Sequence, residues 1–234
     1  MTKPVAILRF FSIEGPGHFA TFLDRHDIPW TLIRLDEGDM IPDSLADYSG
    51  LALMGGPMSV HDDLPWIAPL LQLIKQAIAF DVPVLGSCLG GQLLATALGG
   101  QVSNNPVKEL GWGWVKAIDS TIARNWLGDI AGFEAFHWHG ETFSLPQGAT
   151  CLFSGTYCAN QAFVTGKHLG LQCHVEMTPS MIKEWCNVNA EELRLNQDSP
   201  AVQAIDEIQV NLHRRVSALQ AVADRMYRKW INSI

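Results

Sequence analysis

Charge is scarce in this chain. Of its 234 residues only 17% are Asp, Glu, Lys or Arg, while 47% are hydrophobic; average globular proteins carry about 25% charged residues. A sequence this poor in charge buries much of itself and is not disordered. Positive charge is the scarcer sign. Sixteen Lys and Arg against 24 Asp and Glu leave a net charge of −8, without the basic footprint of a general nucleic-acid binder, so no nucleic-acid partner is expected. Long apolar runs are nearly absent. The uncharged stretch 82–100 would be long enough to span a membrane, but it holds Pro83, five glycines and Gln92 and divides into a strand, a turn and a helix. The first residues lack the apolar core of a signal peptide. Five cysteines (Cys88, Cys151, Cys158, Cys173, Cys186) form no CxxC pair and no Cys/His array with zinc spacing, which excludes a disulfide framework and offers no metal site. The expectation is one cytoplasmic domain over residues 1–234, with no cofactor, no metal and no membrane contact.

What is present is alternation. Val5–Phe10, Trp30–Leu35, Gly50–Met54 and Val82–Gly86 read as short apolar strands. Between and after them, Gly17–His26, the face Ile67, Leu70, Leu71, Ile74, Ala77 and Ile78, and Leu89–Leu98 read as helices. That order predicts an α/β fold, a mostly parallel central sheet flanked by helices. Further strands are expected at Leu110–Ile118, Phe133–Trp138, Ala149–Phe153, Gln161–Val164 and His168–Cys173, and a helix opens at Thr178-Pro179 with threonine as its cap. Apolar residues from Val202 to Trp230 recur every three or four positions, which predicts one long amphipathic C-terminal helix over Pro200–Ile231. Such a helix packs on its own domain or offers a docking face.

The segment Gly86-Ser87-Cys88-Leu89-Gly90-Gly91-Gln92 lies between an apolar strand and an apolar helix. Gly-x-Cys-x-Gly in that place is the thiol form of a nucleophile elbow: a tight strand-to-helix turn lifts the sulfur above the sheet, and the N–H groups opening the helix favour negative charge there. A thiol nucleophile needs a base and an orienting group. Gly170-Leu171-Gln172-Cys173-His174-Val175-Glu176 supplies both, because residues i and i+2 of an extended strand share a face, placing Glu176 beside His174. His137 and His139, and His61-Asp62-Asp63, read better as pocket lining and solvated loop than as metal ligands.

These two segments, with Met54-Gly55-Gly56-Pro57 ahead of them and Lys108-Glu109-Leu110-Gly111-Trp112 and Trp138-His139-Gly140-Glu141-Thr142-Phe143 between them, resemble the triad-type (class I) glutamine amidotransferases. The chain is most similar to stand-alone relatives of the GMP synthase glutaminase domain. The resemblance covers about residues 5–180; a C-terminal extension of about 190–234 carries no motif of the family. It implies that Cys88, His174 and Glu176 hydrolyse the glutamine side-chain amide through a γ-glutamyl thioester. It implies an oxyanion hole made by the N–H groups of Gly56 and Leu89, and a substrate pocket formed by Gln92, Trp138, His139 and Gly140. A separate synthase subunit would be the acceptor of the ammonia. Val175 stands where the family usually has proline. Gly91 replaces a common histidine or tyrosine, which is expected to widen the pocket toward larger donors. The alternatives are a self-sufficient γ-glutamyl hydrolase or peptidase and, from another class, a redox-sensing or binding protein that uses Cys88 as its thiol.

Overall fold

The protein is described by a computed structural model covering residues 3–234. Its N-terminal half alternates as the apolar pattern requires: β1 (Val5–Arg9), α1 (Gly17–Arg25), β2 (Trp30–Arg34), β3 (Gly50–Leu53), α2 (Ile67–Ala79), β4 (Val84–Ser87) and α3 (Leu89–Ala97). The second half contains β5 (Val102–Ala117), α4 (Thr121–Leu127), β6 (Gly132–Phe143), β7 (Thr150–Gly155), β8 (Ala162–Thr165) and β9 (His168–Leu171). It ends with α5 (Pro179–Val188), α6 (Ala190–Leu195), β10 (Ala201–Val202), α7 (Ile205–Gln209) and α8 (Leu212–Ile231).

All ten strands join one sheet. Strands β2, β1, β3, β4 and β9 run parallel in that order. From β9 onward the sheet continues antiparallel through β8, β7 and β5, with β6 also antiparallel on β5. The parallel half is covered on both faces, and alternate residues of each strand feed different cores. Val5 and Ile7 of β1, Ala52 of β3 and Leu85 of β4 pack with α1, α5 and α8. Ala6, Leu8, Leu51, Leu53 and Val84 pack with α2 and α3 on the other side. This two-sided burial is why these strands read as unbroken apolar runs. The Thr178 side chain caps α5 by accepting the Met181 N–H.

Two expectations are corrected. The strand foreseen at Leu110–Ile118 starts eight residues earlier, at Val102, because a bulge between Asn104 and Glu109 carries the chain past Pro106. The helix foreseen over Pro200–Ile231 is three pieces. Residues Ala201–Val202 pair with the edge of β5, and the Gln203 side chain accepts the Trp112 N–H at 2.7 Å. Asn211 then turns left-handed (φ 54°) before α8 begins. Apolar spacing runs through both breaks, so periodicity alone could not reveal them. The apolar stripe of α8 is spent internally: Val216, Leu219, Met226, Tyr227 and Trp230 are buried, with Tyr227 and Trp230 packed on Phe19. None of the helices among the described residues is long and apolar enough to cross a membrane.

Candidate active site

Cys88 occupies a strained joint. Between β4 and α3 its backbone takes φ 49° and ψ −108°, a conformation that costs a non-glycine residue on the order of 1–3 kcal/mol and persists only where packing dictates it. The packing is visible. A side chain on Gly86 would strike the Gly90 backbone, and one on Gly90 the Leu53 backbone, so strand and helix can close on the elbow only with glycine at both places. The Cys88 N–H is anchored to the Leu171 carbonyl at 2.8 Å, which ties the elbow to the end of β9.

Beyond Leu171 the chain leaves the sheet. His174 and Glu176 therefore lie past the strand expected to hold them, on an extended segment fixed by the His174 N–H to the Phe136 carbonyl of β6 (2.8 Å). The i, i+2 relation survives: His174 Nδ1 meets Glu176 Oε1 at 2.7 Å. Ser87 donates its hydroxyl to the other oxygen, Oε2, also at 2.7 Å, and the edge of the Trp185 ring packs on the imidazole 4.8 Å away. Burial opposes charge on both partners. It would push His174 down, but the Glu176 carboxylate and the Cys88 sulfur outweigh it and hold His174 well above the ordinary histidine value. Burial would likewise raise Glu176, but His174 and the Ser87 hydroxyl bring it below the usual carboxylate range. The Gln172 amide donates toward Cys88 Sγ at 3.7 Å and is itself approached by the Gln92 amide at 3.4 Å. Neither Gln172 nor Ser87 stands out in the sequence except as part of a motif.

Cys88 opens into a cleft of about 250 Å³. Gln92, Trp138, His139 and Gly140 all line it, as does Gly56. Among the described residues, no backbone hydrogen bond is donated by Gly56 or Leu89. The sequence did not point to Glu14, Asn189 and Glu192, which also line it, and it offered Lys108 only as part of a family-like motif. Glu192, in α6, is clamped by Lys108 Nζ at 2.7 Å and Trp138 Nε1 at 2.9 Å.

Gly91 corrects an expectation. It does not widen the cleft, because it faces β9: a Cβ there would collide with the Leu171 carbonyl oxygen. His139 also has neighbours that spacing did not foresee. Glu109, His139 and Cys158 bring their donor atoms within 4.8 Å of one another. The three are already engaged: Glu109 Oε2 lies 3.0 Å from His139 Nε2 and accepts from Gln161 at 2.8 Å, and Cys158 contacts Thr142 at 3.2 Å. Burial pushes the Cys158 thiol up to about 11, so the cluster reads as a hydrogen-bonded prop for the pocket wall. His137, pushed down to about 4 by burial, is neutral at ordinary pH.

Burial acts on the thiols away from the cleft. Burial raises Cys151 and, to about 11, Cys158 and Cys186, and it raises Cys173 well above the ordinary thiol value. Limiting iodoacetamide followed by peptide mapping should therefore label Cys88 first by at least tenfold, since the thiolate is the reacting form. Preferential labelling of Cys158 or Cys186 would remove the basis for the site.

A cysteine on a strand–helix elbow at the cleft and a buried histidine held by a glutamate thus lie together in this α/β fold. The sequence pattern of the class-I glutamine amidotransferase family matches residues 23–186, and the chain belongs to that family. A glutamine amidotransferase of Methylobacillus flagellatus, known from a crystal structure, superposes with a TM-score of 0.97 at 45% identity, over 100% of this chain and 96% of that one. Gamma-glutamyl peptidase 3 of Arabidopsis thaliana is 28% identical over 72% of each chain. The GMP synthase of Aeropyrum pernix is 34% identical over 59% of this chain, which spans only 26% of that larger enzyme. The likeness to GMP synthase thus concerns its glutaminase part.

Proposed function

We propose that the protein is a cysteine-dependent amidohydrolase that cleaves the side-chain amide of glutamine. The observation that carries this reading is the His174–Glu176 pair at 2.7 Å, its ring drawn toward the charged form by Glu176 and by the Cys88 sulfur, with that thiol lining the cleft. In the first half-reaction the Cys88 thiolate attacks the amide carbon, and the negative charge moves to the carbonyl oxygen. The N–H groups of Gly56 and Leu89 receive that oxyanion, each worth on the order of 3 kcal/mol of transition-state stabilisation. The C–N bond then breaks as the leaving nitrogen takes the proton from His174, and ammonia departs. In the second half-reaction His174 accepts a proton from water, the hydroxide attacks the thioester, and the C–S bond breaks to give glutamate and the restored thiolate. Glu176 keeps the ring oriented and stabilises its charged form throughout.

Gln92, Trp138, His139 and Gly140 hold the glutamyl portion in this scheme, and a synthase subunit is the acceptor of ammonia. A sensor thiol would need no oriented base, so the His174–Glu176 pair disfavours that reading. A second reading, a γ-glutamyl peptidase acting alone in the cytoplasm, is favoured by the similarity to the plant peptidase over 72% of both chains. Steady-state assays of the purified chain decide between the two. The amidotransferase reading predicts that glutamine is preferred to γ-glutamylglycine in kcat/KM. A dipeptide preference of tenfold or more, about 1.4 kcal/mol of differential transition-state binding, would overturn it.

A further inference from the structure

Building on the amidohydrolase reading, we propose that Glu14 selects by charge on the leaving-group side of the cleft: it admits γ-glutamyl amides that release ammonia or a carboxylate-free amine and rejects those whose leaving amine carries a carboxylate. The direction of cleavage sets where the leaving group lies. The leaving nitrogen must take its proton from His174, so whatever that nitrogen bears lies beside the imidazole. Glu14 reaches the same ring from its Cε1 edge. A Cβ on Gly55 would collide with Glu14 Oε2 and come within 2.9 Å of His174 Cε1, so carboxyl and ring flank one small space that glycine keeps open. Glu14 also lines the cleft together with Cys88.

The other charges in the cleft are already committed. Glu192 is paired with Lys108 and Trp138, and Glu141 accepts from the Ser59 hydroxyl at 3.0 Å. Lys108 is the one Lys or Arg among the described lining residues, so the cleft offers a carboxylate-bearing leaving group no free cation. Among the described residues the Glu14 N–H donates to the Phe11 carbonyl at 3.0 Å, while its carboxyl has neither a hydrogen bond nor an ion pair. Burial pushes its carboxyl up to about 7, with His174 drawing it down and Glu176 and Glu192 pushing it up. Glu14 therefore gains its negative charge as pH rises through neutrality. Rejection of an anionic leaving group should be weak near pH 6 and strong near pH 8.5.

The test compares γ-glutamylglycine with γ-glutamylmethylamide, which differ at the leaving amine only by the carboxylate. In the parent enzyme the ratio of their kcat/KM values should fall about tenfold between pH 6 and pH 8.5. In Glu14→Gln it should stay flat, near the parent's pH 6 value. Changes in Cys88 or His174 act on both donors alike and cancel in the ratio. A second reading needs no turnover: the rate of Cys88 alkylation by iodoacetate relative to iodoacetamide should fall over the same pH range in the parent and not in the variant. A ratio independent of pH in the parent, or a fall that persists in Glu14→Gln, overturns the assignment. Absence of hydrolysis of any γ-glutamyl amide, with the alkylation contrast intact, overturns the amidohydrolase reading and leaves the charge of Glu14 supported.

Discussion

Replacing His174 with alanine should lower kcat/KM for glutamine by about 10⁵-fold, some 7 kcal/mol of transition-state stabilisation. The imidazole has two duties in the proposed cycle: it supplies the proton for the leaving nitrogen, and it draws a proton from the water that attacks the thioester. Neither Glu176 nor Gln172 can take over these duties. Glu176 is committed to His174 and Ser87, and Gln172 does not titrate. Glu176→Gln should cost less, about 10³-fold. A glutamine there can accept from the imidazole through its oxygen and meet Ser87 through its amide, which keeps the geometry and removes the charge. Single-turnover acylation rates separate the two variants. An unimpaired His174→Ala enzyme, or a Glu176→Gln enzyme more damaged than His174→Ala, would contradict the assigned roles.

Gly91→Ala should also be harmful, although Gly91 does not line the cleft. Its Cβ would strike the Leu171 carbonyl oxygen, the atom that anchors the Cys88 N–H. Leu171 is paired with Ser87 across β4 and β9, so neither side can yield without moving the elbow. The expected outcome is a stability loss of about 2–4 kcal/mol and a fall in kcat of about 100-fold, the usual cost of displacing a reacting group by about 1 Å. Denaturant melts and initial rates on the same preparation check both. A variant that melts and turns over like the parent would show that α3 does not bear on β9 as described.

That prediction reverses what the residue suggested by its place in the motif, and the contrast shows which features the sequence could carry. Cys88, His174 and Glu176 were legible because their chemistry needs particular residue types at short spacings, and those spacings survive even where the secondary structure around them differs. The parallel half of the sheet was legible because two-sided burial leaves unbroken apolar strands. Glu14 and Glu192 were not, because they reach the cleft from a loop and a six-residue helix, neither of which has a readable period. Gly91 was misjudged because the sequence does not tell where a missing Cβ would point. The break at Asn211 was hidden because α7 and α8 bury apolar residues at the spacing a single helix would use.

The central claim is that a γ-glutamyl thioester forms on Cys88. Rapid acid quenching of the enzyme during turnover of glutamine, followed by peptide mapping by mass spectrometry, tests it most directly. The account predicts a γ-glutamyl adduct on the peptide containing Cys88, longer-lived in Glu176→Gln and missing in an inactive Cys88→Ala. An adduct on another cysteine, or glutamine hydrolysis by Cys88→Ala at the parental rate, would contradict it.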